Sequence, residues 1–130
     1  MPVRLLSSAV LKWPDGRTVD QAVRHWAEEA GCKRPELLRV GYFGSYARGN
    51  WGVGSDVDLL IIVKSSRQPF ERRGSEWDVA ELPVPADVMV YTRDEWNSLR
   101  ARGRFYQTIM EEAVWVYIKE AKSHEASLRT

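Results

Sequence analysis

The sequence predicts an α/β (α+β) fold, and three stretches carry that prediction. From Val19 to Ala30, apolar residues recur at three- and four-residue steps, the period of a helix with one buried face. Val57 to Val63 is almost wholly apolar and rich in branched side chains, the composition of a central strand buried on both faces. Leu37 to Phe43 supplies a second strand just upstream.

In chain order, Ala9 to Lys12 reads as a short strand ended by the turn Trp13-Pro14-Asp15-Gly16. Thr18 stands where the N-cap of the next helix belongs, and Gly31 where that helix closes. Its inward face is Val19, Ala22, Val23, Trp26, Ala27 and Ala30, whereas Asp20, Arg24 and Glu28 form a solvated side. His25, next to them, reads as a surface residue. Lys33 to Glu36 connects to the Leu37 strand. Gly44 then permits a tight turn, and Ser45 is expected to cap a short helix through Arg48, turning free N–H groups and a hydroxyl toward an anion.

Gly49 to Gly54 is a glycine-rich loop whose Trp51 either packs or stacks on a base or partner. Lys64 to Pro85 is irregular, with a short helix and loops. Its Arg67, Arg72 and Arg73 have the right chemistry for a triphosphate, although a solvated run is the plainer reading. Ala86 to Tyr91 forms a strand headed by Asp87. Asp78 and Glu81 are acidic too but head no strand. Thr92 or Asp94 starts a helix with Trp96 and Leu99 inward, and Gly103 interrupts it. Phe105, Ile109 and Met110 mark a further helix, Ala113 to Ile118 a last strand, and 119–130 a frayed or loosely helical tail.

The 130 residues are enough for one domain with a single core. A 44% hydrophobic share beside a 28% charged share is ordinary globular composition, and no apolar run approaches the ~20 residues that cross a bilayer. Met1 to Ser8 has too short an apolar run for a signal peptide, and the single Cys32 forms no internal disulfide. A cytoplasmic protein is expected, with Cys32 in packing or a turn. The formal net charge of +1 offers no field to gather a long nucleic acid. Six tryptophans are spread along the chain and read mainly as core or half-buried packing, with Trp51 and Trp77 as the alternatives at a partner surface.

The chemistry concentrates at the mouth of the central strand. Strand alternation sends Asp56 and Asp58 to one side and Val57 to the other, with bases roughly 6–7 Å apart. Taken alone, such a pair is also explained as loop caps. Two carboxylates so placed repel unless a cation sits between them, and magnesium takes one or two carboxylates with water and phosphate. Two such ions, about 3.5–4 Å apart, could clamp both oxygens of an in-line phosphoryl displacement.

The order Gly44-Ser45, ten intervening residues, then Asp56-Val57-Asp58 resembles the minimal nucleotidyltransferase (MNT) family of the DNA polymerase beta superfamily. That family places a third aspartate on a neighbouring strand, matched here by Asp87 in Ala86-Asp87-Val88-Met89-Val90. The resemblance covers about 37–117. It implies a nucleotidyltransferase-like fold with a small mixed β-sheet packed with helices, and catalytic, metal-binding roles for Asp56, Asp58 and Asp87. Asp56 and Asp58 would bridge both magnesium ions, with Asp87 on the nucleophile's side. Gly44, Ser45 and Arg48 would bind the nucleotide, Arg48 either touching it or bracing the loop by an ion pair.

The implied reaction moves a nucleoside monophosphate, AMP from ATP, to an acceptor hydroxyl with loss of pyrophosphate. Larger relatives carry further domains that bind the acceptor, so the missing surface is expected from another copy, a partner or the substrate. Minimal members commonly pair with a helical HEPN protein, and some transfer AMP to a tyrosine of it as the antitoxin of a toxin-antitoxin pair. A free-standing transferase for a small molecule and a non-catalytic nucleotide-binding module are the alternatives.

Overall fold

Four strands form the middle layer, and helices cover both of its faces. The computed structural model describes residues 13–101 and 103–119, so the strand expected at 9–12 and the tail expected from 120 onward lie outside the described residues. Helix α1 spans Gly16–Lys33, strand β1 Leu37–Phe43, the one-turn helix α2 Ser45–Arg48 and strand β2 Val57–Val63. A short helix α3 (Phe70–Arg73) and a 3-10 turn (Gly74–Glu76) lead to strand β3 (Ala86–Thr92). Helices α4 (Arg93–Arg100) and α5 (Arg104–Glu112) and strand β4 (Val114–Ile118) complete the order. The sheet runs β3-β2-β1-β4, with β2 and β3 parallel and the other neighbours antiparallel. The α+β class and the small mixed sheet are therefore as expected.

Each face of the sheet has its own core. Val57, Leu59, Ile61 and Val63 of β2 pack with Val40 and Tyr42 of β1 against Val19, Val23, Trp26 and Ala27 of α1. The alternate residues Leu60 and Ile62 join Leu38, Trp96 and Ile109, which places α4 and α5 on the other face. β2 is buried nearly throughout because it is covered on both sides, which is why its sequence does not alternate.

Several local expectations are corrected. The N-cap of α1 is Asp15, whose carboxylate accepts from the Thr18 amide at 2.9 Å, so the helix begins before Thr18. Nor does Gly31 end it: α1 continues to Lys33, and a Cβ at Gly31 would meet the Tyr117 ring at 2.5 Å. That glycine permits close approach of α1 to β4. Asp20 is more than a solvated residue, since it accepts from the Tyr42 hydroxyl and pairs with Arg24, both at 2.7 Å. Cys32 is exposed rather than packed. The helix marked by Phe105, Ile109 and Met110 is present as α5, where Ile109 is buried and Phe105 and Met110 are 39% and 42% exposed.

Arg73 is the one charged side chain among the described residues that is buried, at 6% exposure, and it does not reach toward a triphosphate. Its guanidinium donates to the carbonyls of Gln68 and Val90 at 2.8 and 3.2 Å and to both Glu95 oxygens at 2.6 and 3.1 Å. Glu95 in turn completes the capping box of α4 with Thr92. One cation thus joins the irregular 64–85 segment to β3 and α4. Hydrogen bonding to Arg73 lowers the Glu95 carboxyl from its ordinary range. A depressed carboxylate contributes stability above its unfolded value and loses it as pH falls through the folded one. Glu95→Gln is therefore expected to cost ~1 kcal/mol at pH 7, a figure held down by solvent screening. In urea melts, the gap between variant and wild type should close as pH drops below the ordinary glutamate range.

Candidate active site

Asp58 is the second residue of β2 and Asp87 the second of β3, and the parallel ladder pairs them directly. Adjacent strands lie about 4.8 Å apart, so both carboxylates spring from one spot on the sheet. Asp58 is half-buried, whereas Asp87 is exposed. Asp56 is also exposed and lies just outside the ladder, which begins at Val57, so strand alternation does not by itself fix its direction.

On the other side of β2, Phe43 pairs with Asp58, which brings the following Gly44 over the acid. Gly44 has φ 80°, and a Cβ there would lie 2.1 Å from Oδ2 of Asp58. Any other residue would be strained in backbone and would displace the carboxylate. Gly44 itself is the N-cap of α2. Ser45, expected as the cap, is instead its first residue, and its hydroxyl makes no hydrogen bond among the described residues. Arg48 ends the same turn, with its guanidinium 3.3 Å from Glu112. Bracing of the loop by an ion pair is the arrangement observed.

The electrostatics follow from this crowding. Burial pushes the Asp58 carboxyl above the ordinary aspartate range, and the charges of Asp87 and Asp56 push it further. Arg48 opposes them, while Glu112 adds to the rise. Among the described residues no three acidic, histidine or cysteine side chains close on a common point as a finished metal cage. Magnesium does not require one, because it keeps several waters and takes one or two carboxylates together with substrate phosphate. Carboxylates whose mutual repulsion Arg48 only partly offsets fit such an ion in donor type and in charge.

Other candidates fall away from this place. Asp78 caps its own turn by accepting from the Ala80 amide, and its carbonyl takes the Trp26 indole N–H at 2.8 Å. Glu81 borders the same groove as Asp78, beside Trp26 and Arg34. Trp77 is buried with the Arg34 guanidinium 4.0 Å above it, which makes it core and not a partner contact. Trp51 lies parallel to Tyr46 at 5.7 Å and borders Gly16, so its ring is engaged in packing.

Sequence reasoning missed Glu112. Its carboxylate accepts from the Gly44 amide at 2.7 Å across 68 residues of chain. In the sequence it is one of two adjacent glutamates near the end of a helix, and nothing local sets it apart.

Comparison with known proteins agrees with the fold. Among solved structures, a candidate nucleotidyltransferase from Sulfolobus solfataricus is 21% identical with a TM-score of 0.58, over 81% of this chain and 85% of that one. A toxin-antitoxin with AMP-PNP is 14% identical with a TM-score of 0.53, over 82% of each chain. A mutant of the toxin-antitoxin MntA-HpeT is 12% identical with a TM-score of 0.50, over 79% of this chain and 78% of that one. No curated protein matches the sequence. The model of the nucleotidyltransferase domain family matches residues 25–116, a span holding the Gly44 turn and all three aspartates, and the chain belongs to that family.

Proposed function

We propose that this protein is a magnesium-dependent nucleotidyltransferase that moves AMP from ATP to a hydroxyl of a partner protein. The observation that carries the reading is the pairing of Asp58 with Asp87 beneath a glycine turn that no side chain could share. Asp56, Asp58 and Asp87 would hold magnesium, whose charge neutralises phosphate oxygens and makes a nearby hydroxyl more acidic. Ser45, with its unengaged hydroxyl, and the amides after Gly44 would bind the outer phosphates. The acceptor oxygen attacks the α-phosphorus, a new O–P bond forms, and the bond to the β-phosphate bridging oxygen breaks, so that pyrophosphate leaves. Asp87, the exposed acid, takes the acceptor's proton or passes it to water.

A protein acceptor is favoured by two structural neighbours that are toxin-antitoxin assemblies, one of them with AMP-PNP. The partner would be of the helical HEPN kind, and the chain would act as the antitoxin. No helix of the described residues is long and apolar enough to cross a membrane.

Incubation with labelled ATP, magnesium and the product of the neighbouring gene should add the mass of one AMP to that product. Transfer to a small molecule instead, or none at all, would overturn the reading. Asp58→Ala and Asp87→Ala should each reduce transfer by more than ~100-fold while the far-ultraviolet circular dichroism stays that of the wild type.

A separate expectation concerns stability without metal. The raised Asp58 group favours the folded state at low pH, and that contribution is lost as pH rises through the folded value. Asp58→Asn should therefore raise the melting temperature of the metal-free protein at pH 7 by roughly 2 °C, since ~0.5 kcal/mol of repulsion is removed. Magnesium should raise the wild type's melting temperature and leave that of the variant nearly unchanged.

A further inference from the structure

Glycine populates positive and negative φ about equally, so the Gly44 conformation is not self-enforcing. The helix that follows cannot enforce it either. α2 is a single turn, closed by bonds from the amides of Arg48, Gly49 and Asn50 at 2.9, 3.0 and 3.1 Å, and one helical turn is unstable alone. Something outside the segment must hold it. The only side chain among the described residues that bonds to both of its ends is Glu112, which accepts from the Gly44 amide at 2.7 Å and lies 3.3 Å from the Arg48 guanidinium.

Glu112 is well placed for this task. It is the last residue of α5, and β4 begins two residues later with Val114 paired to Tyr42 of β1. The ladder that delivers Glu112 therefore ends beside the strand from which Gly44 emerges. At 18% side-chain exposure, the carboxylate is shielded enough for its bonds to matter more than a surface ion pair would.

We propose that Glu112 is a positioning residue for the nucleotide site, tying the two ends of the Gly44–Arg48 turn together so that the Ser45 hydroxyl and the amides after Gly44 stay aimed at the phosphates. This rests on the nucleotidyltransferase reading above. The observed contacts of Glu112 are with Gly44 and Arg48, and the proposed role acts through them. Glutamine at this position keeps an oxygen for the Gly44 amide but loses the charge that pairs with Arg48, and alanine loses both.

The test has two arms. In hydrogen exchange of the nucleotide-free protein, Glu112→Ala should reduce protection of the 44–49 amides by ~10-fold, the worth of one charge-assisted bond, while β1 and β2 stay protected. In steady-state transfer assays, Glu112→Ala should raise KM for magnesium-ATP by ~10-fold with a smaller change in kcat, and Glu112→Gln should recover part of that loss. Unchanged protection, or a KM equal to the wild type's, would overturn the inference. So would tighter nucleotide binding in either variant, because Glu112 would then be competing with phosphate for the turn. If the wild type neither binds nor transfers nucleotide, the proposed function fails, and the exchange arm still decides whether Glu112 holds the turn.

Discussion

Asp58 and Asp87 are paired across parallel strands, which puts two negative charges where hydrophobic partners would ordinarily stack. Repulsion of this kind destabilises a sheet, and the ladder carries it because the next five pairs, from Leu59 with Val88 to Val63 with Thr92, are mostly apolar and well covered. Three surroundings then act on the strained end. Gly44 presses backbone against Asp58, Arg48 offers partial compensation, and Glu112 consumes much of that compensation for itself. What remains is a site with excess negative charge at the start of two paired strands. Excess negative charge of this kind suits the proposed binding of a cation and of the phosphates a cation brings.

How much of this could be read in advance depended on the range of the forces involved. β1 and β2 were found at their full extents because burial on both faces leaves a mostly apolar record, broken in β1 by Arg39 and Gly41. Asp87 could be singled out because it heads an apolar run and matches the third aspartate of the resembled family, whereas its pairing with Asp58 is seen only in the sheet. Helix ends were less readable. Asp15 and Thr18 are both good caps, and the choice between them rests on a bond formed only once the backbone turns. Gly31 looked like a terminator, but the glycine answers to Tyr117, which is 86 residues away in the chain.

Glu112 and Arg73 lay beyond such reading for the same reason. Each is a charged residue in a run of charged residues, and solvation is the ordinary fate of those. Their roles come from what the fold brings to them: a glycine amide in one case, two carbonyls and a carboxylate in the other. Phe105, Ile109 and Met110 did mark a helix, but of the three only Ile109 is buried by it. Phe105 instead sits edge-on to Phe43 at the rim of the acid-bearing face.

The hydroxyl of Tyr42 ends in a bond to Asp20 of α1, and Asp20 also holds Arg24 on the outer surface of that helix. Tyr42 lies two positions before Gly44. A shift of α1 along the sheet would pull on Tyr42 and so act as a lever on the Gly44 turn. By the same reciprocity, a ligand that stiffens the turn would make the far side of the helix harder to displace.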